Sequence, residues 1–308
     1  MVSVRDIPLP GGRWLRVHDS AGGAATGGFT VVWHHGSPQT GAILAPLLSA
    51  ADARGIRLIS YGRPSYGGST ARPGRDVASA ASDVGQIADA LGVGRFAVMG
   101  ASGGGPHALA CAALLAERVT AAVCLASPAP FTGDGAGWFA GMASDGGLRA
   151  AAAGRSVREI YAQTDEFDPD SFTESDYAAL EGTWSALGDD ARSASTAGSG
   201  GLVDDDLAFV APWGFDVSDI RAPVLLVQGG QDRVIPPAHA EVLLRQCTDG
   251  ELWIRPNDGH ISILDACPLA MDWLLAHSHY SGGSGAEVAD GTHSSHTGHS
   301  STSGHARS

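Results

Sequence analysis

The sequence predicts an α/β fold: a mostly parallel, twisted sheet with helices on both faces and an inserted helical lid. Three observations carry this. Short β-branched apolar runs alternate with Ala/Leu-rich stretches of helical length, the pattern of strands joined by crossover helices. The alternation breaks between about Pro130 and Ile220, where no convincing strand occurs. It then resumes as two further strand–helix pairs before the composition collapses after Ser278.

Taken in order, strands are expected at residues 14–18, 29–33, 57–60, 96–99, 121–126, 224–228 and 251–254. Helices are expected near 43–53, 77–91, 106–117, 237–246 and 263–276. Between them, 130–220 carries helix-like pieces bearing Trp138, Phe139, Met142, Tyr161, Tyr177, Trp184, Phe209 and Trp213. A helical insertion between two strands is expected to cover the strand ends, where open α/β sheets bind ligands. The chain therefore divides into a first core part (1–129), a lid (130–220), a second core part (221–277) and a tail (278–308). The tail is dominated by Gly, Ser, Thr and His; such a segment cannot bury a core and is expected to be disordered. Its histidines, His293, His296, His299 and His305, lack a fixed geometry or a Cys or carboxylate cluster, so no metal site is expected there.

Composition narrows the function. At 308 residues the chain can bury a substantial core without a disulfide or metal staple. A formal charge of −14 argues against nucleic acid or anionic membrane as a partner. All 19 basic residues are Arg, which excludes a Schiff-base lysine, a Walker-type phosphate loop and a Ser–Lys pair. The opening MVSVRDIPLPGG lacks a signal-peptide apolar run, and no stretch approaches about 18 apolar residues, so a cytoplasmic location is expected. Cys111, Cys124, Cys247 and Cys267 sit in apolar surroundings without a C-x-x-C pair and are expected to be reduced core thiols. Residues 129–222 hold 17 Asp/Glu against 5 Arg, a charge of −12. Solvation of the lid exterior is the plain reading; attraction of a cationic substrate is the functional one.

Gly100-Ala101-Ser102-Gly103-Gly104 matches G-x-S-x-G, which alone is weak in a chain with 43 glycines. Its setting is more specific: a buried-strand run precedes it, and a helix with Pro106 in its first turn follows. Such a strand–Ser–helix elbow strains the serine and projects its hydroxyl, and close packing leaves no room for Cβ atoms on the flanking glycines. A Ser hydroxyl needs a base, and the base needs an orienting group. Downstream, Asp232 follows the strand at 224–228 and His260 follows the strand at 251–254. All three groups then leave the sheet on one edge. His18, His107 and His239 fit the base position less well, His107 reading as a packed helix residue. Asp258 lies too near His260, while Asp216 and Asp219 precede their strand, so Asp232 is preferred. Oxyanion donors are expected from the backbone N–H of Gly103, after the nucleophile, and of Ser37, in the turn His35-Gly36-Ser37-Pro38.

These motifs, with Tyr61-Gly62-Arg63-Pro64-Ser65-Tyr66-Gly67-Gly68-Ser69, together resemble the α/β-hydrolase superfamily over about residues 10–277. The nearest branch holds prolyl aminopeptidases, epoxide hydrolase-like esterases and cofactor-free haloperoxidases. Three departures stand out. The family usually reads Asp-Arg-Pro-Gly where this chain has Gly62-Arg63-Pro64-Ser65. Prolyl aminopeptidases place Trp where Gly103 stands. Epoxide hydrolases and haloalkane dehalogenases use Asp in place of Ser102.

The expected chemistry is acyl transfer to water on a small carboxylic ester or lactone, needing no cofactor or metal. Alternatives with the same residues are amide or peptide hydrolysis beside a free amine, a sensor that keeps the triad, and a non-hydrolytic biosynthetic enzyme. Sequence leaves the substrate and the oligomeric state open.

Overall fold

The computed structural model describes residues 1–21, 28–132, 135 and 137–277. The expected tail, 278–308, lies outside them. Eight strands form one sheet: β1 (Ser3–Leu9), β2 (Arg13–Asp19), β3 (Thr30–His34), β4 (Arg57–Tyr61), β5 (Phe96–Ala101), β6 (Val119–Leu125), β7 (Val224–Gly229) and β8 (Gly250–Arg255). Their spatial order is β1-β2-β4-β3-β5-β6-β7-β8. The first two strands form an antiparallel hairpin, β2 meets β4 antiparallel, and every later pairing is parallel. The helices are α1 (Ala45–Asp52), α2 (Ser79–Ala90), α3 (Gly104–Leu114), α4 (Gly146–Ala152), α5 (Arg155–Tyr161), α6 (Glu174–Glu181), α7 (Ser185–Thr196), α8 (Gly200–Phe209), α9 (Ala238–Gln246) and α10 (Cys267–His277).

Alternate residues of each central strand feed opposite cores. Val32, Val98, Ala122 and Leu226 pack with Val84 and Ile87 of α2, Leu109 of α3 and Leu243 of α9. Val31, Met99, Val123 and Leu225 pack with Leu47 of α1 and with Met271 and Leu274 of α10. Burial on both faces is why β3, β5, β6 and β7 read as unbroken apolar runs rather than alternating ones. Each such Val, Leu, Ile or Met side chain contributes roughly 1.5–3 kcal/mol of transfer free energy.

The hairpin strand β1 was not foreseen. Only Ile7 and Leu9 of it are buried, and Arg5, Asp6 and Pro8 break the apolar pattern. An edge strand tolerates all three, because one side of its ladder needs no partner.

Helices α4 to α8 all fall between β6 and β7, and the described residues of that segment contain no strand. Its charge is not all exterior, contrary to the plain reading of its composition. Asp176, Asp204, Asp205 and Asp206 are buried. Asp204 pairs with Arg155 at 2.5 Å and Asp206 with Arg158 at 2.7 Å. Among the cysteines, Cys111, Cys124 and Cys267 are buried free thiols, and Cys247 is half-buried, its pKa pushed up to about 11 by burial. No helix among the described residues is long and apolar enough to cross a membrane.

Candidate active site

Ser102 stands in the turn between β5 and α3 with φ of 52°, in the left-handed region. That conformation costs an L-residue on the order of 1–3 kcal/mol and persists only where its surroundings impose it. Here the Ser102 N–H donates to Leu125 O on β6 at 2.8 Å, and its carbonyl accepts from Gly105 N–H at 2.9 Å. A Cβ at Gly104 would lie 2.0 Å from His34 O, so the helix enters against the sheet only because that side chain is missing. Gly103 is constrained differently. Its φ is an ordinary −56°, but a Cβ there would lie 2.4 Å from Ser37 Oγ. A side chain at this position would meet Ser37 and Phe209.

The structure brings the three predicted side chains together. His260 Nε2 lies 3.0 Å from Ser102 Oγ, and His260 Nδ1 lies 2.8 Å from Asp232 Oδ2. Since an ionised carboxylate only accepts, Nδ1 carries the proton and the Nε2 lone pair faces the hydroxyl. Asp232 is itself fixed: Oδ1 accepts from the Val234 and Ile235 N–H groups at 2.9 Å each, and Gln228 Nε2 donates to Oδ2 at 3.3 Å. Burial opposes a charge on His260, yet Asp232, with a smaller contribution from Asp176, outweighs it and raises the imidazole pKa above 6.5.

The rejected candidates are occupied elsewhere. Asp258 pairs with Arg255, and Asp216 accepts from Ser218 N–H at 2.9 Å. His239 Nδ1 accepts from Ala129 N–H at 3.1 Å. His107 is buried in α3, its Nδ1 2.7 Å from Gly103 O. Among the described residues, the N–H groups of Ser37 and Gly103 have no hydrogen-bond acceptor.

Two carboxylates from the helical insertion reach this region, and neither was foreseen. Asp176 at the start of α6 accepts from Ile261 N–H and Ser262 N–H, both at 2.8 Å, and so anchors the loop that carries His260. Asp205 on α8 accepts from Arg63 and Arg75 at 2.6 and 2.5 Å. Burial opposes its charge, but the two guanidinium groups prevail and hold its carboxyl well below the usual carboxylate range. The only sequence signals were the family-type position of Arg63 and the run Asp204-Asp205-Asp206, which reads as surface charge.

A cavity of about 780 Å³ opens onto Ser102 and His260. Trp33, Leu47, Leu180, Trp184, Leu187 and Leu264 line its apolar part, and Asp165, Glu166 and Asp168 also border it.

Architecture of this kind, with candidate reactive groups gathered at the carboxyl edge of a parallel sheet, defines a class of α/β hydrolytic enzymes. The chain belongs to the alpha/beta hydrolase fold family, whose model matches residues 30–266, and it is an enzyme of the hydrolase class. Several solved structures share the fold. An esterase from Thermogutta terrifontis is 19% identical with a TM-score of 0.65, covering 90% of this chain and 99% of its own. An enol-lactonase from Burkholderia xenovorans is 19% identical with a TM-score of 0.66, covering 87% and 97%. A bromoperoxidase from Bacillus anthracis is 20% identical with a TM-score of 0.67, covering 89% and 99%. No curated protein matches the sequence.

Proposed function

We propose that the protein hydrolyses a small-molecule carboxylic ester or lactone through an acyl-enzyme on Ser102, beneath a lid formed by α4 to α8. The observation that carries this is the unbroken hydrogen-bonded series from Ser102 Oγ through His260 to Asp232, at 3.0 and 2.8 Å. As Ser102 attacks the substrate carbonyl, His260 Nε2 takes its proton, and Asp232 stabilises the imidazolium. Negative charge develops on the carbonyl oxygen, which the free N–H groups of Ser37 and Gly103 receive. His260 then protonates the leaving alcohol and activates a water to release the acid. A cavity of about 780 Å³ is of the size that encloses a small molecule, and its apolar lining suits an alkyl or aryl acyl group.

The test is release of p-nitrophenol from short-chain acyl esters. Ser102→Ala is expected to lower kcat by about 1000-fold or more. Turnover undiminished in that variant would remove the reading.

A further inference from the structure

A peptide group is planar, so whatever holds its carbonyl also aims its N–H. The N–H of Ser37 shares a peptide plane with the carbonyl of Gly36. That carbonyl accepts from His35 Nδ1–H at 2.6 Å and from Arg63 Nη2–H at 3.3 Å. The neighbouring carbonyl of His35 accepts from Arg63 Nη1–H, and His35 Nε2 accepts from the Arg63 backbone N–H at 3.1 Å. One guanidinium therefore grips two successive carbonyls of the oxyanion turn. Donors on the carbonyl also polarise the N–H at the other end of the same peptide, which strengthens it as a donor.

Arg63 is in turn fixed from outside the core. Its Nη2 lies 2.6 Å from Asp205 Oδ2 and its Nε lies 3.3 Å from Asp205 Oδ1. Asp205 Oδ2 also accepts from the Ser37 hydroxyl at 2.5 Å and from Tyr66 OH at 2.9 Å, while Oδ1 accepts from Arg75 at 2.5 Å. Both Arg63 and Asp205 are buried, so neither is screened by solvent. The nucleophile side joins the same cluster: His107 bonds Gly103 O through Nδ1, and its Nε2 lies 3.9 Å from Asp205 Oδ1.

We infer that Asp205 is a positioning residue: from α8 it locks Arg63 and the Ser37 side chain so that the Ser37 N–H points at the developing oxyanion. This inference rests on the acyl-transfer reading of the site. The helical insertion would thereby supply part of the active-site frame as well as a cover.

The experiment compares Asp205→Asn, Ser37→Ala and Asp206→Asn with the parent enzyme. Readouts are kcat and KM on a p-nitrophenyl ester, and affinity for an alkyl trifluoromethyl ketone, which adds to Ser102 and places an oxyanion between the Ser37 and Gly103 amides. Losing a whole oxyanion donor costs about 100- to 1000-fold, so misaiming one in Asp205→Asn is expected to lower kcat by about 10- to 100-fold. KM should change by less than about threefold, and ketone affinity should fall by the same factor as kcat/KM. Burial raises the Asp206 carboxyl to about 7, so the comparison is made at about pH 8, where Asp206→Asn loses a buried ion pair from the same helix, to Arg158, and should lose thermal stability while keeping kcat. If Asp205→Asn does not fold, Ser37→Ala carries the test, because it removes one bond to Asp205 and leaves the charge pair intact. Its kcat and ketone affinity should then fall together by several-fold.

Unchanged kcat in the folded variant, a loss confined to KM, or an equal loss of kcat in Asp206→Asn would overturn the inference. Full turnover in Ser102→Ala would instead overturn the reading of the site, and this inference with it.

Discussion

Ser102 and Ser65 hold φ at 52° and 76°, where an L side chain is disfavoured by about 1–2 kcal/mol. For Ser102 the strain has a product, since it projects the hydroxyl to 3.0 Å from His260 Nε2. Ser65 has no comparable return; its hydroxyl reaches only Asp204 Oδ2, at 3.5 Å. The related family usually carries Gly at this position, as left-handed backbone would favour. Ser65→Gly is therefore expected to raise stability by up to about 1 kcal/mol, the relief of strain less the extra entropy of an unfolded glycine. Denaturant titration checks it, and a loss of stability would show that the bond to Asp204 outweighs the strain. At this scale Ser102, Asp232 and His260 were legible in the sequence, because each follows a strand and their order is fixed by the elbow. Asp205 and Asp176 were not. Asp205 acts on Arg63 across 142 residues of chain and Asp176 on Ile261 across 85, and no local pattern marks either.

The element that best shows what the sequence withheld is α6. Its capping box, Thr173 with Asp176, fixes the start of the helix. In the fold the same carboxylate also accepts two N–H groups from the loop carrying His260. Asp176 therefore adds negative charge near the imidazole as well as order to its loop. Catalysis by His260 requires the neutral ring, so kcat/KM should fall as pH drops through its raised pKa, above 6.5. Asp176→Asn removes a charge that favours the imidazolium, so the acid limb should move to lower pH. A pH profile of kcat/KM in both proteins checks this; an acid limb moved to higher pH would contradict it. Strands β2 to β8 were legible because apolar runs of strand length are hard to place otherwise. The hairpin strand β1 was not, since an edge strand needs only two inward side chains.

Across the whole molecule, the sheet supplies an edge and the segment between β6 and β7 supplies charge to it. That segment carries 17 of the 33 acidic residues, and composition alone placed them on its exterior or around a cationic substrate. Among the described residues four are buried instead, and three of these pair with Arg63, Arg75, Arg155 and Arg158 within the fold. The case for an amine-bearing substrate is weaker for that, resting now on Asp165, Glu166 and Asp168 at the cavity. Fold class was legible because hydrophobic periodicity reports layers; pocket shape was not, because it depends on how α4 to α8 return to the sheet. On the proposed reading, this arrangement makes one hydroxyl nucleophilic. A fluorophosphonate probe followed by peptide mass spectrometry measures that most directly. One adduct is expected, on the peptide containing Ser102, formed far more slowly in His260→Ala and not at all in Ser102→Ala; labelling that survives in Ser102→Ala at the parent rate would contradict it.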